Sequence, residues 1–217
     1  MHRLPPSVLV FALVAVWTVV GTPTPAQTPD DALSHDSRSR AQQAENRLRH
    51  AKQTHLWRIG AWGSANLLGG AALMWRSDRV RGSTSWHFGA MSAGWGLING
   101  MIASIGLARA PAPITARPHV ARARERRFHD LLLLNLGLNV GYAAVGLTML
   151  GAARSGVSHA DRWRGFGGAL ILQGMGLLIL DGIAYLGSRS RLRALLHPSS
   201  SLSVTVTPTR LAITVPF

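Results

Sequence analysis

Four apolar stretches, roughly 56–75, 86–108, 130–152 and 166–187, alternate with short arginine-rich segments along this chain. Each is close to the roughly 20 residues that a helix needs to cross the hydrocarbon core of a bilayer. The pattern predicts an all-α membrane protein built as a four-helix transmembrane bundle. Trp57 and Trp75 bracket the first stretch, about 27 Å apart at helical rise. Together with Trp86 and Trp163 they fit the aromatic belts that anchor helices at both membrane faces.

The flanking segments have patterns of their own. Residues 1–27 carry Arg3, an apolar run at 8–20 and a TPTP break, which predicts a signal peptide. An uncleaved anchor is the rival reading. Residues 28–55 are polar, and from about Asp36 they hold strong helix formers without Gly or Pro. Ala41, Ala44, Leu48 and Ala51 recur there at helical spacing, so a polar, thinly amphipathic helix leads into the first span. Residues 109–127 read as a loop punctuated by Pro111, Pro113 and Pro118. Asp130, directly before LLLL, is placed as an N-cap. In the tail, 189–217, a basic segment gives way to LSVTVTPTRLAITVPF, which alternates like a β-hairpin around Thr-Pro-Thr-Arg.

The spans are interrupted in a consistent way. The first two share Trp62-x3-Asn66 and Trp95-x3-Asn99, the third has Asn135-x3-Asn139, and the fourth holds Gln173 and Asp181. Residues four apart share a helix face, and dense glycines nearby let helices approach closely enough for side chains to bond across the interface. A carboxylate at this depth must face protein or trapped water. With successive spans antiparallel, Asn135 falls opposite Asp181, while Gln173 falls level with Asn139. These six polar residues are the candidate site, either as interhelical glue or, for Asp181, as a ligand or proton group.

Composition narrows the chemistry. The chain has 217 residues, 47% hydrophobic and only 15% charged, with a net charge of +14. All but one of the basic residues are arginine and they flank the apolar runs, which suits anionic headgroups rather than nucleic acid. Without cysteine there are no disulfides, thiolate metal sites or cysteine nucleophiles. The nine histidines avoid the span centres, with His55 and His129 at one face and His87 and His159 at the other. Neither a metal site nor a cofactor is expected, and the only candidate surface base is His129–Asp130.

The motifs GAWGSANLLGG at 60–70, LLLLNLGLNVGY at 131–142 and RGFGGALILQGMGLLILDGIAYL at 164–186 resemble an uncharacterised family of bacterial membrane proteins, a domain of unknown function. Asn-Arg-Leu at 46–48 adds to the likeness, which covers roughly 45–188. The resemblance implies a signal-like start, a short polar helix and four spans, and implies no activity.

Topology has two opposed signals. A cleaved signal peptide puts residues 28–56, the 109–129 loop and the tail outside. That side carries fifteen Lys and Arg near the spans against six on the other, so the positive-inside rule votes the other way. The expected protein is a multi-pass protein of the bacterial inner membrane, in contact with membrane lipids. It binds a protein partner or lipid, or assembles as a homo-oligomer, without catalysis. The alternatives are an oligomeric transporter or sensor of protons or a small polar solute through Asp181, and an enzyme acting on lipid headgroups.

Overall fold

The computed structural model describes residues 35–77, 82–196, 203–207 and 210–214. The expected signal peptide, 1–27, lies outside the described residues. Four helices dominate: α1 (His35–Arg76), α2 (Thr84–Ala108), α3 (Pro118–Arg154) and α4 (Ala160–Leu196). Two short strands follow, β1 (Ser203–Thr207) and β2 (Arg210–Thr214), paired antiparallel.

The helices run further than their apolar stretches. α1 is continuous over 42 residues, about 63 Å, so the polar segment and the first expected span form one rod. α3 begins at Pro118, where a fixed φ and a missing N–H suit the first turn. The expected loop is therefore shorter than 109–127, the basic RARERR run is helical, and Asp130 sits inside the helix rather than capping it. A side-chain cap does occur at α2, where the Ser83 hydroxyl accepts from the Trp86 amide at 3.2 Å.

Three helices, α2, α3 and α4, are long and apolar enough to cross a membrane. The apolar half of α1 is diluted by Arg58, Asn66 and small residues. The inward faces repeat every seven residues. On α2 the buried positions are Gly89, Ser92, Gly96, Asn99 and Ala103. On α3 they are Ala121, Glu125, Phe128, Leu132, Asn139, Gly146 and Ala153. Three- and four-residue steps of this kind form the seam of a left-handed bundle.

α1 packs antiparallel on α2, and α3 on α4, with backbones in near contact. A Cβ on Gly89 would stand 2.6 Å from the Gly70 carbonyl, and one on Gly146 2.6 Å from the Gly167 carbonyl. Only glycine permits that approach. The pairs join through α2–α4, α1–α3 and α1–α4 contacts. Side chains pointing away are mostly apolar: Leu68, Leu97, Met101, Leu147, Ile179 and Leu186 are all more than half exposed.

Beyond the apolar stretches the start of α1, the start of α3 and the end of α4 continue together as a polar three-helix head. At its base, where it meets the apolar stretches, is a small core of Leu48, Phe128 and Leu132, covered by Ala184 and Tyr185.

Candidate functional site

The inward polar side chains gather at two levels. At the first, on the head side, Asn139 Nδ2 donates to Asp181 Oδ2 at 2.7 Å. His55 Nε2 lies 3.1 Å from Asp181 Oδ1. That approach is off the line a hydrogen bond needs, so Oδ1 accepts none, and His55 Nδ1 is likewise buried without a partner. Asp181 is 3% exposed and His55 8%.

At the second level a closed ring links α1 to α4. The Trp62 indole donates to Gln173 Oε1 at 3.0 Å, Gln173 Nε2 donates to Asn66 Oδ1, and Asn66 Nδ2 donates to the Trp62 carbonyl at 2.8 Å. Gln173 is wholly buried. Trp62 reaches it because its ring lies over Gly176, where any Cβ would collide with the indole.

These partnerships are displaced from the sequence expectation. Asn139, not Asn135, holds Asp181, and Gln173 bonds to Asn66 rather than facing Asn139. By α-carbon level Asn135 stands opposite Asp181, but side chains on a helix lean toward its N-terminus. Asn139 therefore reaches toward the level of Asn135, which is where Asp181 lies. Asn135 itself is half-buried and outside both clusters. Asn99 is buried, and its Nδ2 has no partner. Trp95 tilts against Tyr142 with ring centroids 4.9 Å apart, so the two Trp-x3-Asn motifs play different parts. Of the expected anchors, Trp57 and Trp75 are strongly exposed, Trp163 is moderately so and Trp86 is half-buried against His87.

Sequence reasoning missed His55 and two buried glutamates in the head. Glu45 accepts from Arg124 and from the Thr115 hydroxyl (2.9 Å), tying the 109–117 loop to α1. Arg124 also donates to the Pro113 carbonyl at 2.9 Å. Glu125 accepts from the Ser188 hydroxyl at 2.6 Å and from Arg191 Nε and Nη2 at 3.1 and 3.0 Å. This fork joins α3 to α4. The seven-residue seam could have revealed it, since Glu125 stands seven before Leu132 and fourteen before Asn139. Lys52 lies 5.5 Å over the Phe128 ring. Burial holds its ammonium below the ordinary lysine pKa; Glu125 pulls it back up, and Arg124 and Arg127 push it further down.

A cleft of about 460 Å³ opens between α1, α3 and α4 on the head side, with His55 in its wall. Arg47, His50, Arg58 and Arg191 line it, and no carboxylate does among the described residues. The same residues form no group of three or more His, Cys, Asp or Glu that could hold a metal.

Comparison with curated proteins and with solved structures returns no match. A family model does match, from the residue after Trp57 to the residue after Asp181, taking in Asn66, Glu125, Asn139 and Gln173 but neither His55 nor Glu45. Matched over residues 58–182, more than half its length, the chain belongs to the family of unknown function DUF6992.

Proposed function

We propose that the protein is a multi-pass integral protein of the bacterial inner membrane, crossing four times, and that it binds a lipid or protein partner rather than transforming a substrate. One observation carries this reading: the polar side chains turn inward while large apolar ones face out. Leu97, Met101, Leu133, Val140, Leu172 and Ile179 are exposed while Asn66, Asn139, Gln173 and Asp181 are buried. Water would favour the reverse; a hydrocarbon solvent favours this. α1 is read as the fourth crossing because Leu67, Leu68 and Leu73 are also exposed on it and it pairs with α2 through glycines. Binding is favoured over catalysis because the buried carboxylates serve as cross-links: Glu45 to Arg124, Glu125 to Arg191 and Asp181 to Asn139. The tail strands are read as accessory.

The absence of cysteine makes the topology directly testable. Single substitutions Gln42→Cys, Ser77→Cys, Ala110→Cys, Ser158→Cys and Ala194→Cys are probed with a membrane-impermeant maleimide in intact and permeabilised cells. Positions 42, 110 and 194 should react from one side, and 77 and 158 from the other. If position 42 reacts from the same side as 77, α1 does not cross and the four-span reading fails.

A further inference from the structure

We propose that the cleft on the head side of the bundle is a binding site for the phosphate headgroup and upper acyl chain of an anionic phospholipid. The proposal rests on the membrane reading above and adds to it a specific ligand class and place.

The cleft follows one face of α1. Arg47, Ala51, Thr54 and Arg58 recur at four- and three-residue steps, a stripe adjacent to the buried seam of Leu48, His55 and Ile59. Two of these four side chains are cationic, and His50 and Arg191 add to them. Arg191 is already held by Glu125. Arg47 and Arg58 are exposed and have no hydrogen-bond or ion-pair partner among the described residues. Two unneutralised guanidiniums in a cleft without a carboxylate call for an anion, and the planar fork of arginine matches phosphate oxygens.

The rest of the lining makes the anion part of an amphiphile. Phe128, Ile183 and Ala184 form an apolar wall, and Ile183 is itself 51% exposed, so this wall continues into the outward surface of α4. Arg58 directly follows Trp57, 68% exposed and placed to anchor at the headgroup level. A headgroup among the arginines would leave its acyl chain against Ile183 and, one turn deeper on α4, the exposed Ile179, in line with the lipid phase. A free anion would use only the polar half of such a site. The volume, about 460 Å³, is within the ordinary range for small-molecule pockets.

His55 closes the deep side of the cleft. His55 is 92% buried by its 8% exposure, lines the cleft, and has Nδ1 without a partner. A buried imidazole nitrogen left unpaired is costly. That nitrogen is itself enclosed, so a headgroup in the cleft lies against the imidazole and not on Nδ1. Asp181, 3.1 Å from Nε2, would then help to position that wall.

The test uses the full chain, purified in mild detergent and stripped of lipid. Phosphatidylglycerol, phosphatidylcholine and inorganic phosphate are titrated separately and in competition, with occupancy read by native mass spectrometry. One phosphatidylglycerol should bind per chain, phosphatidylcholine should bind several-fold more weakly, and inorganic phosphate should displace neither. The double variant Arg47→Gln/Arg58→Gln should weaken phosphatidylglycerol binding roughly tenfold. The pair Arg154→Gln/Arg162→Gln, exposed at the opposite end of the bundle, should leave it unchanged. Equal losses in both pairs, or no loss in the first, would overturn the site. Displacement by inorganic phosphate at a similar concentration would reduce it to a free-anion site and overturn the lipid assignment. Melting midpoints of the variants check that the fold is intact, and an unchanged cysteine-labelling pattern would show membrane insertion standing even where the headgroup site fails.

Discussion

Gln173 is the residue on which the tie between α1 and α4 turns. It accepts from the Trp62 indole and donates to Asn66, so a single apolar replacement strands a donor and an acceptor together. Gln173→Leu should lower stability by about 1–3 kcal/mol, the cost of leaving buried polar groups unpaired, read as a fall in the melting midpoint in detergent. No change would mean that water or a neighbouring side chain takes over both bonds. Asp181 should respond differently. Asp181→Asn keeps an acceptor for Asn139 and removes the charge, and an amide costs less to bury than a carboxylate. Its melting midpoint at neutral pH should equal or exceed the parent's. Asp181→Leu, which strands Asn139 and leaves His55 facing a hydrocarbon, should melt lower. A clear drop in Asp181→Asn would identify the ionised carboxylate itself as the element that holds α1 and α3 to α4.

Among the elements, the weak point is the polar head, where three helices continue past their apolar stretches. The apolar core there is small, only Leu48, Phe128 and Leu132 with two flanking residues. The two buried glutamates bridge what that core cannot. Glu125→Ala removes the acceptor for Ser188 and the fork from Arg191, leaving a partly buried guanidinium without its counter-charge. Losing these charged hydrogen bonds costs about 1–3 kcal/mol. Hydrogen exchange should accelerate from the start of α3 through Leu132 and over the end of α4 from Ser188, while the α1–α2 glycine contact keeps its protection. Uniform loss of protection along all four helices would instead make the head and the spans one cooperative unit. That contact has its own test: Gly89→Val should force α1 and α2 apart, since even a Cβ at that position meets the Gly70 carbonyl at 2.6 Å.

For the whole molecule, the decisive quantity is the apolar surface left facing outward. Large exposed side chains run the length of α2, α3 and α4, among them Ile105, Leu134, Leu138, Val145 and Met175. A soluble monomer rarely exposes a continuous apolar belt of this kind. The protein should therefore remain with the membrane pellet after alkaline carbonate extraction and should require detergent for release. Appearance in the carbonate supernatant would mean that the belt is covered by protein rather than lipid.

The periodicity of the sequence determined the helices and which of their faces is small or polar, because a glycine or an amide recurring at helical spacing can meet only another helix. It also placed the inward polar residues Asn66, Asn139, Gln173 and Asp181, whose types are expensive to face lipid. Three things were decided by the tertiary structure. The pairing of Asp181 with Asn139 depends on the lean of side chains, which a level-by-level comparison of α-carbons ignores. The burial of Glu45, Glu125 and His55 depends on which of two helix faces meets a neighbour. In a polar, arginine-rich segment the apolar pattern is too thin to say so, although the seven-residue step from Leu132 back to Glu125 carried part of the answer. The cationic cleft depends on three helices from distant parts of the chain, and no local pattern encodes a space between them.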